Sequence, residues 1–259
     1  MNNVMKQFAT SVHWLQSVCR SLVDFVFPPQ CSLCGAVDYV DTSGGVYCPN
    51  CVERLCPEPR NRCDRCAAEM GPYATSPNGC THCRNRKLQF DSVVCLGMYE
   101  DTLKQAVLSA KWSFSSVRIR SLGSLLAKRQ VAETHELQID RVIPVPQHWR
   151  QRAVRHFNPA AIIAAEIAAQ LNVPCDQHLL RRVRRTRPQK RVSVSQRFDN
   201  QADAFGLKDA HVIRGERLLI VDDVLTTGAT CSEAAQLLTR AGAKSCNVAV
   251  LARVLDHSG

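Results

Sequence analysis

From Phe90 to the carboxyl end, short apolar runs alternate with longer stretches whose hydrophobic residues recur every three or four positions. Asp91 to Met98 predicts a strand, Thr102 to Trp112 and Ser116 to Glu133 predict helices, and Arg141 to Val145 predicts a buried strand ending at Pro146. Asn158 to Leu171 is an alanine-rich helix. Leu218 to Val221 is a second buried strand. Ala234, Ala235, Leu237 and Leu238 form the apolar stripe of a helix that Gly242 stops, and Ser245 to Leu251 supplies a further strand. Strands separated by helices in this way call for an α/β domain with a parallel sheet and helices on both faces, over residues 89–259.

Two other regions precede it. In residues 1–27, Val4, Phe8, Val12, Leu15, Val18, Leu22, Phe25 and Val26 line one face at helical spacing, which predicts an amphipathic helix. It lacks the compact apolar run and small-residue cleavage site of a secretory signal. Packing on the chain's own domains is the plain reading, with docking on a membrane surface or a partner helix as the alternative. Residues 28–88 are rich in turns and poor in core residues.

That middle region carries its own source of order. Cys31, Cys34, Cys48 and Cys51 are two Cys-x-x-Cys pairs, and Cys63, Cys66, Cys80 and Cys83 repeat them 32 positions later. Each pair sets two thiolates on one turn, so two pairs close a four-cysteine zinc site with no open coordination position, which makes it structural. Disulfides would need an oxidising compartment, and no secretory signal is visible. Cys19, Cys56, Cys95, Cys175, Cys231 and Cys246, the rest of the fourteen, show no paired spacing and read as small buried hydrophobes.

The strongest chemical signal lies after Val221. Asp222 and Asp223 end the apolar run, and Thr226, Thr227, Gly228, Ala229 and Thr230 follow as a small hydroxyl-rich loop entering a helix. Ligands bind at the carboxyl ends of parallel strands. Carboxylates there accept hydrogen bonds from ribose hydroxyls and lie near a magnesium ion held by phosphate oxygens, while the loop amides at a helix start attract a phosphate. The acids alone would serve equally as helix caps. Together with the loop, they describe a ribose-phosphate site, and the segment resembles the phosphoribosyl diphosphate (PRPP) motif of type I phosphoribosyltransferases.

Charge adds to this picture. The net charge is +10, which suits phosphate-bearing ligands or a nucleic-acid backbone. No acid lies between Asp140 and Glu166, where Arg141, Arg150, Arg152 and Arg155 occur. A loop of arginines leaving a strand beside the acids fits a diphosphate, which guanidinium groups bind bidentately. From Gln177 to Phe198 there are eight cations and no acid, the makings of a lid over an anion or an arm on nucleic acid. No stretch approaches ~20 apolar residues, so no transmembrane span is expected.

Taken together, the chain resembles the ComF family, also called competence protein F or the GntX-like group. The marks are Phe27-Pro28-Pro29 before the first cysteine pair, Tyr99 with Leu103-Lys104 and Lys111, and Ile143-Pro144-Val145-Pro146. Arg155 with Phe157-Asn158, Thr186 with Pro188-Gln189, Arg197 with Asn200, and the Asp222 to Thr230 motif complete them. His156 and Pro159 depart from the family's usual Gly and Gln.

The resemblance implies a type I phosphoribosyltransferase fold behind a double zinc-ribbon module, two structural Zn2+ sites, and Mg2+ bound with PRPP or a related nucleotide. It casts Asp222 and Asp223 as the catalytic and ribose-binding pair, the loop as the 5′-phosphate site, and Arg150, Arg155 and Lys111 as the diphosphate site. A phosphoribosyl transfer to an acceptor in competence or DNA uptake and processing is the implied activity, in the cytoplasm or at the inner face of its membrane. With aromatics at 6% of the chain, no acceptor-recognising cluster stands out. The alternative is a non-enzymatic PRPP or nucleotide sensor that binds single-stranded DNA and DNA-uptake proteins.

Overall fold

The computed structural model describes residues 30–37, 45–57, 61–71, 73–74, 79–112, 116–129, 136–147, 157–183, 204–208 and 213–255. The amphipathic helix expected in residues 1–27 lies outside them. The chain forms two compact units, Met1–Val52 and Glu53–Gly259.

The first unit contains Cys31, Cys34, Cys48 and Cys51. The Gly35 amide donates to the Cys31 carbonyl at 2.9 Å and the Cys31 amide to Ala36 at 2.8 Å, which fold the first pair into a tight knuckle. The Cys48 amide donates to Cys31 Sγ at 3.3 Å. Helix α1, Pro49–Leu55, begins with proline at its first position, where no amide partner is lost.

The larger unit is built on β1 (Val93–Met98), β2 (Arg141–Pro144), β5 (Arg217–Leu225) and β6 (Ser245–Arg253), all parallel, in the order β1-β6-β5-β2. A lone parallel bridge from Val142 to Cys175 continues beyond β2. A two-stranded antiparallel ribbon of β3 (Leu180–Arg182) and β4 (Phe205–Leu207) stands apart from the sheet. The helices are α2 (Asp101–Trp112), α3 (Val117–Arg129), α4 (Pro159–Leu171) and α5 (Ala229–Arg240).

The alternation along β5 divides the core. Leu218 and Ile220 join Val248, Val250, Ala234, Ala235 and Leu238 in one hydrophobic cluster, which also takes in Cys63, Cys66, Cys80, Cys83, Leu88 and Phe90. The second cysteine tetrad therefore shares the core of the α/β sheet. Leu219 and Val221 are equally buried and, by the two-residue period of a strand, face the opposite side. There α4 packs on β2 and β5, and α3 packs on α4. Each fully buried leucine or isoleucine of β5 contributes about 1.5–3 kcal/mol by burial.

The expected elements are present with revised ends. The first strand starts at Val93, and the second helix is described over Val117–Arg129, with 130–133 outside the described residues. Asn158 is the N-cap of α4 rather than its first residue: its side chain accepts from the Ala160 amide at 3.2 Å and donates to Val145 O at 3.0 Å. Pro159, the departure noted in the sequence, occupies the first helical position, where its missing amide costs nothing. The larger revision concerns β5, which was expected to end before the acids. It continues through Asp222 and Asp223 to Leu225, because β6 offers ladder partners as far as Arg253.

At the amino ends of the strands, Arg217 Nε and Nη2 donate to Asp140 at 3.0 and 2.9 Å, and Arg141 pairs with Glu216 at 2.7 Å and Asp176 at 3.4 Å. The hydrogen bonds from Arg217 hold the Asp140 carboxyl down at about 2. These pairs set the register of β2 on β5 far from the carboxyl ends. Arg141, counted among the basic residues around β2, is thus committed to the opposite edge.

Gly242 closes the turn after α5 at φ +107, and a Cβ there would meet the Ile213 carbonyl oxygen at 2.3 Å. Gly242→Ala is expected to lower stability by about 2 kcal/mol or more, read as a lower urea midpoint at unchanged slope.

Candidate functional site

The parallel pairing of β2 on β5 decides where the chemistry collects. Pro144 registers with Val221, and the Val145 amide donates to Val221 O at 2.8 Å, so the carboxyl end of β2 lies beside Asp222 and Asp223 as the strand pattern predicted. A cleft of about 230 Å³ opens there, lined by Lys111, Val145, Pro146, Gln147, Asn158, Pro159, Ala160, Arg182, Asp222, Asp223 and Thr230.

Because β5 runs on through the acids, consecutive carboxylates leave it on opposite faces. Asp223, on the face of Leu219 and Val221, meets Lys111 from the last turn of α2, with Nζ to Oδ2 at 2.9 Å. Asp222 lies in the field of Arg182 from β3 and accepts from the Asp223 amide at 2.8 Å. Burial, and then the charge of Asp223, push the Asp222 carboxyl up to about 7 against the opposing pull of that amide, Lys111 and Arg182. One acid is therefore salt-bridged, and the other is poised to take or release a proton near neutral pH.

The loop is sorted by burial. Thr226 is exposed, Thr227 is 3% exposed, and Thr230 lines the cleft. The inward Thr227 hydroxyl accepts from the Ala229 amide at 3.4 Å, a turn-stabilising contact. Gly228 is the N-cap of α5 at φ +83, so no side chain caps the helix start, and of the loop residues Thr230 lines the cleft while Thr226 to Ala229 do not. Cys231 follows, buried, and its burial together with Asp222 and Asp223 raises its thiol well above the ordinary range, which keeps it from acting as a nucleophile.

Of the residues named from the sequence, Asp222, Asp223, Lys111 and Thr230 come together in one cleft. Arg150 and Arg155 lie outside the described residues, as do Arg184 to Phe198 of the basic run. Three cleft residues were not singled out in advance. Arg182 was only one of eight cations in a run; its Nε donates to Pro146 O at 3.2 Å and its guanidinium stands 5.0 Å from the centroid of Phe205. The signal was the apolar Leu179-Leu180 just ahead of it, which makes a short strand. Gln147 follows the end of β2, and its Nε2 is buried with no hydrogen-bond partner among the described residues, a donor available to a ligand. Asn158 was legible as an Asn-Pro helix start.

The two cysteine tetrads meet the geometry of zinc. In each set the four sulfurs lie within 4.8 Å of one another. The separations are 3.7 Å for Cys34 and Cys48, 3.8 Å for Cys63 and Cys83, 3.6 Å for Cys66 and Cys80, and 3.9 Å for Cys80 and Cys83. A tetrahedron with zinc–sulfur distances of about 2.3 Å has edges of about 3.8 Å. Of the cysteines outside the tetrads, Cys95, Cys231 and Cys246 are buried as expected, and Cys56 and Cys175 are half-buried.

Comparison with known proteins agrees with this construction. The phosphoribosyl transferase domain family matches residues 158–258, and the double zinc ribbon domain matches residues 22–84. The fold and its cysteine sites thus define a phosphoribosyltransferase-fold protein with an amino-terminal double zinc ribbon. Competence protein F of Haemophilus influenzae is 30% identical over 195 residues, 74% of this chain and 84% of the relative. The DNA utilization protein YhgH of Salmonella typhimurium is 32% identical over 203 residues, 76% and 87% of the two chains. The chain belongs to the competence protein F family. A solved adenine phosphoribosyltransferase from Leishmania donovani overlaps 58% of this chain and 74% of its own at 14% identity and TM-score 0.34, so the fold assignment rests on the sheet and the domain match instead. No helix among the described residues is long and apolar enough to cross a membrane.

Metal analysis of the purified protein is expected to find two equivalents of zinc for the two tetrads. Cys66→Ser should retain the equivalent held by Cys31, Cys34, Cys48 and Cys51 while losing the other.

Proposed function

We propose that the cleft binds PRPP with Mg2+ and that the protein, acting in competence or DNA uptake and processing, transfers phosphoribosyl to an acceptor nitrogen. The observation that carries this reading is the juxtaposition of Asp222 and Asp223 with Lys111, Arg182 and Thr230, the last residue of the Thr226 to Thr230 loop, in one cleft. The acids accept from the ribose hydroxyls, the loop amides and the Thr230 hydroxyl take the 5′-phosphate, and Lys111 faces the diphosphate with Arg150 and Arg155. Bound Mg2+ would neutralise diphosphate oxygens and so favour diphosphate as a leaving group. Asp223 exchanges its ion pair with Lys111 for the ribose hydroxyls, which frees the ammonium for the diphosphate. Gln147 offers its unsatisfied amide as a further donor. An acceptor nitrogen then displaces diphosphate from the anomeric carbon, with the cations holding the departing charge. The relatives named for competence and DNA utilization support the DNA context.

A second reading, a nucleotide sensor that binds single-stranded DNA without turnover, draws on the net charge of +10 and the eight cations between Gln177 and Phe198. In that case DNA binding weakens steeply with salt and survives the double change Asp222→Ala and Asp223→Ala, as measured by fluorescence anisotropy. Loss of DNA binding in the double variant would instead tie the DNA to the cleft.

Calorimetry with Mg-PRPP tests the main reading. Asp223→Ala should weaken binding roughly tenfold to a hundredfold, the ~1.5–3 kcal/mol of a hydrogen bond to a charged group. An unchanged Kd removes the ribose site. Asp222 adds a pH dependence with a definite sign. Its carboxyl is raised to about 7, so it is largely neutral below that point and ionised above it. Affinity should therefore tighten from about pH 6 to about pH 8, and Asp222→Asn should flatten that dependence to the part due to the phosphates alone.

A further inference from the structure

Arg253 ends β6 at 3% exposure, yet no carboxylate among the described residues pairs with it. Its guanidinium is committed to main-chain oxygens instead. Nε donates to Cys66 O at 3.0 Å, and Nη1 donates to Leu225 O at 3.1 Å and also to the carbonyls of Thr226 and Val254. A cation buried on neutral carbonyls needs a counter-charge, and four thiolates around Zn2+ form a dianionic centre. Cys66 belongs to that tetrad, so the residue Arg253 grips is also a zinc-ligand position. At its other end the same side chain holds the first residue of the loop that follows β5.

Two further contacts run from the segment just after the second tetrad to the same loop and the start of α5. Gly228 lies so close to Leu88 and Phe90 that a Cβ there would stand 3.0 Å from Leu88 Cδ2 and 3.4 Å from the Phe90 ring. The Gln89 amide, between them, donates to Ser232 Oγ in the first turn of α5 at 3.3 Å. Arg65, next to Cys66, donates to Leu88 O at 3.0 Å and ties that segment to the tetrad. The loop is thus held at Thr226 and Gly228, and the first turn of α5 at Ser232, all from the side of the second tetrad.

We propose that the second cysteine tetrad is the strut that orders the phosphate loop of the cleft, and that Arg253 is the positioning residue that transmits its constraint from Cys66 to Thr226. The proposal rests on reading Thr226 to Thr230 as that loop. Its consequence is a metal dependence of ligand affinity: loss of zinc from Cys63, Cys66, Cys80 and Cys83 loosens the loop without removing any group that touches the ligand. A zinc ribbon on this chain then acts as a support of the cleft in addition to any role on nucleic acid.

Hydrogen exchange of the full chain, with Mg-PRPP calorimetry alongside, decides the matter. Arg253→Lys keeps the charge but cannot reach Cys66 and Thr226 together. It should raise exchange at the Thr227 to Cys231 amides roughly tenfold, leave the Val248 to Leu251 amides protected, and weaken PRPP by a similar factor. Leu88→Ala, which disturbs no buried charge, should give the same pattern more weakly and covers the case in which Arg253→Lys does not fold. Cys66→Ser should reproduce the loop exchange of Arg253→Lys. Wild-type loop exchange in both Arg253→Lys and Leu88→Ala, at full zinc content, overturns the proposal. A wild type that fails to bind PRPP overturns the functional reading instead, and the exchange data still judge the strut.

Discussion

Two consecutive carboxylates inside a parallel strand are costly, and the larger unit is arranged around offsetting that cost. A strand sends neighbouring side chains to opposite faces, so Asp222 and Asp223 cannot be paired alike by one cation. Asp223 pairs with Lys111 at the end of α2, whereas Asp222 has no ion pair of its own among the described residues and lies in the fields of Lys111 and of Arg182 in β3. The compensation is unequal, and Asp222 keeps a raised proton affinity. Such an arrangement is wasteful for stability alone. It suits a site in which a ligand with hydroxyls and phosphates replaces the internal partners.

The remaining features of the cleft follow from the same strand. β5 is long because β6 pairs with it as far as Leu225 and Arg253, and that extra length carries the acids into the sheet instead of leaving them in a loop. The short β2 pairs on its other side and ends early, which opens the space that Val145, Pro146 and Gln147 line. Asn158 then bridges the end of β2 to the start of α4 and closes the wall. Ion pairs at the opposite edge, around Asp140, Arg141 and Arg217, set the register without intruding on the cleft.

The second cysteine tetrad belongs to this economy as well. A region of turns with few large apolar side chains cannot hold itself together by burial, and four thiolates supply the missing cross-link. Its cysteines nevertheless sit in the same hydrophobic cluster as Ile220, Val250 and Leu238. Metal and hydrophobic core are therefore continuous in the larger unit. Cysteine spacing describes ligation and not the surface on which the ribbon lies, so this continuity was not legible in the sequence.

Local spacing in the chain determined what local physics can encode. The duplicated Cys-x-x-Cys pairs specified two tetrahedral sites, apolar runs marked the strands, and Asp222 to Thr230 announced a ribose-phosphate motif. Only the tertiary structure decided which cations meet which acid, because that depends on the faces of β5 and on the layers that α2 and β3 bring to them. The same holds for Arg253 and Gln147, whose importance comes from carbonyls and cleft walls distant in sequence. Period and propensity act over a few residues, whereas the packing of layers joins Lys111 to Asp223 and Cys66 to Arg253.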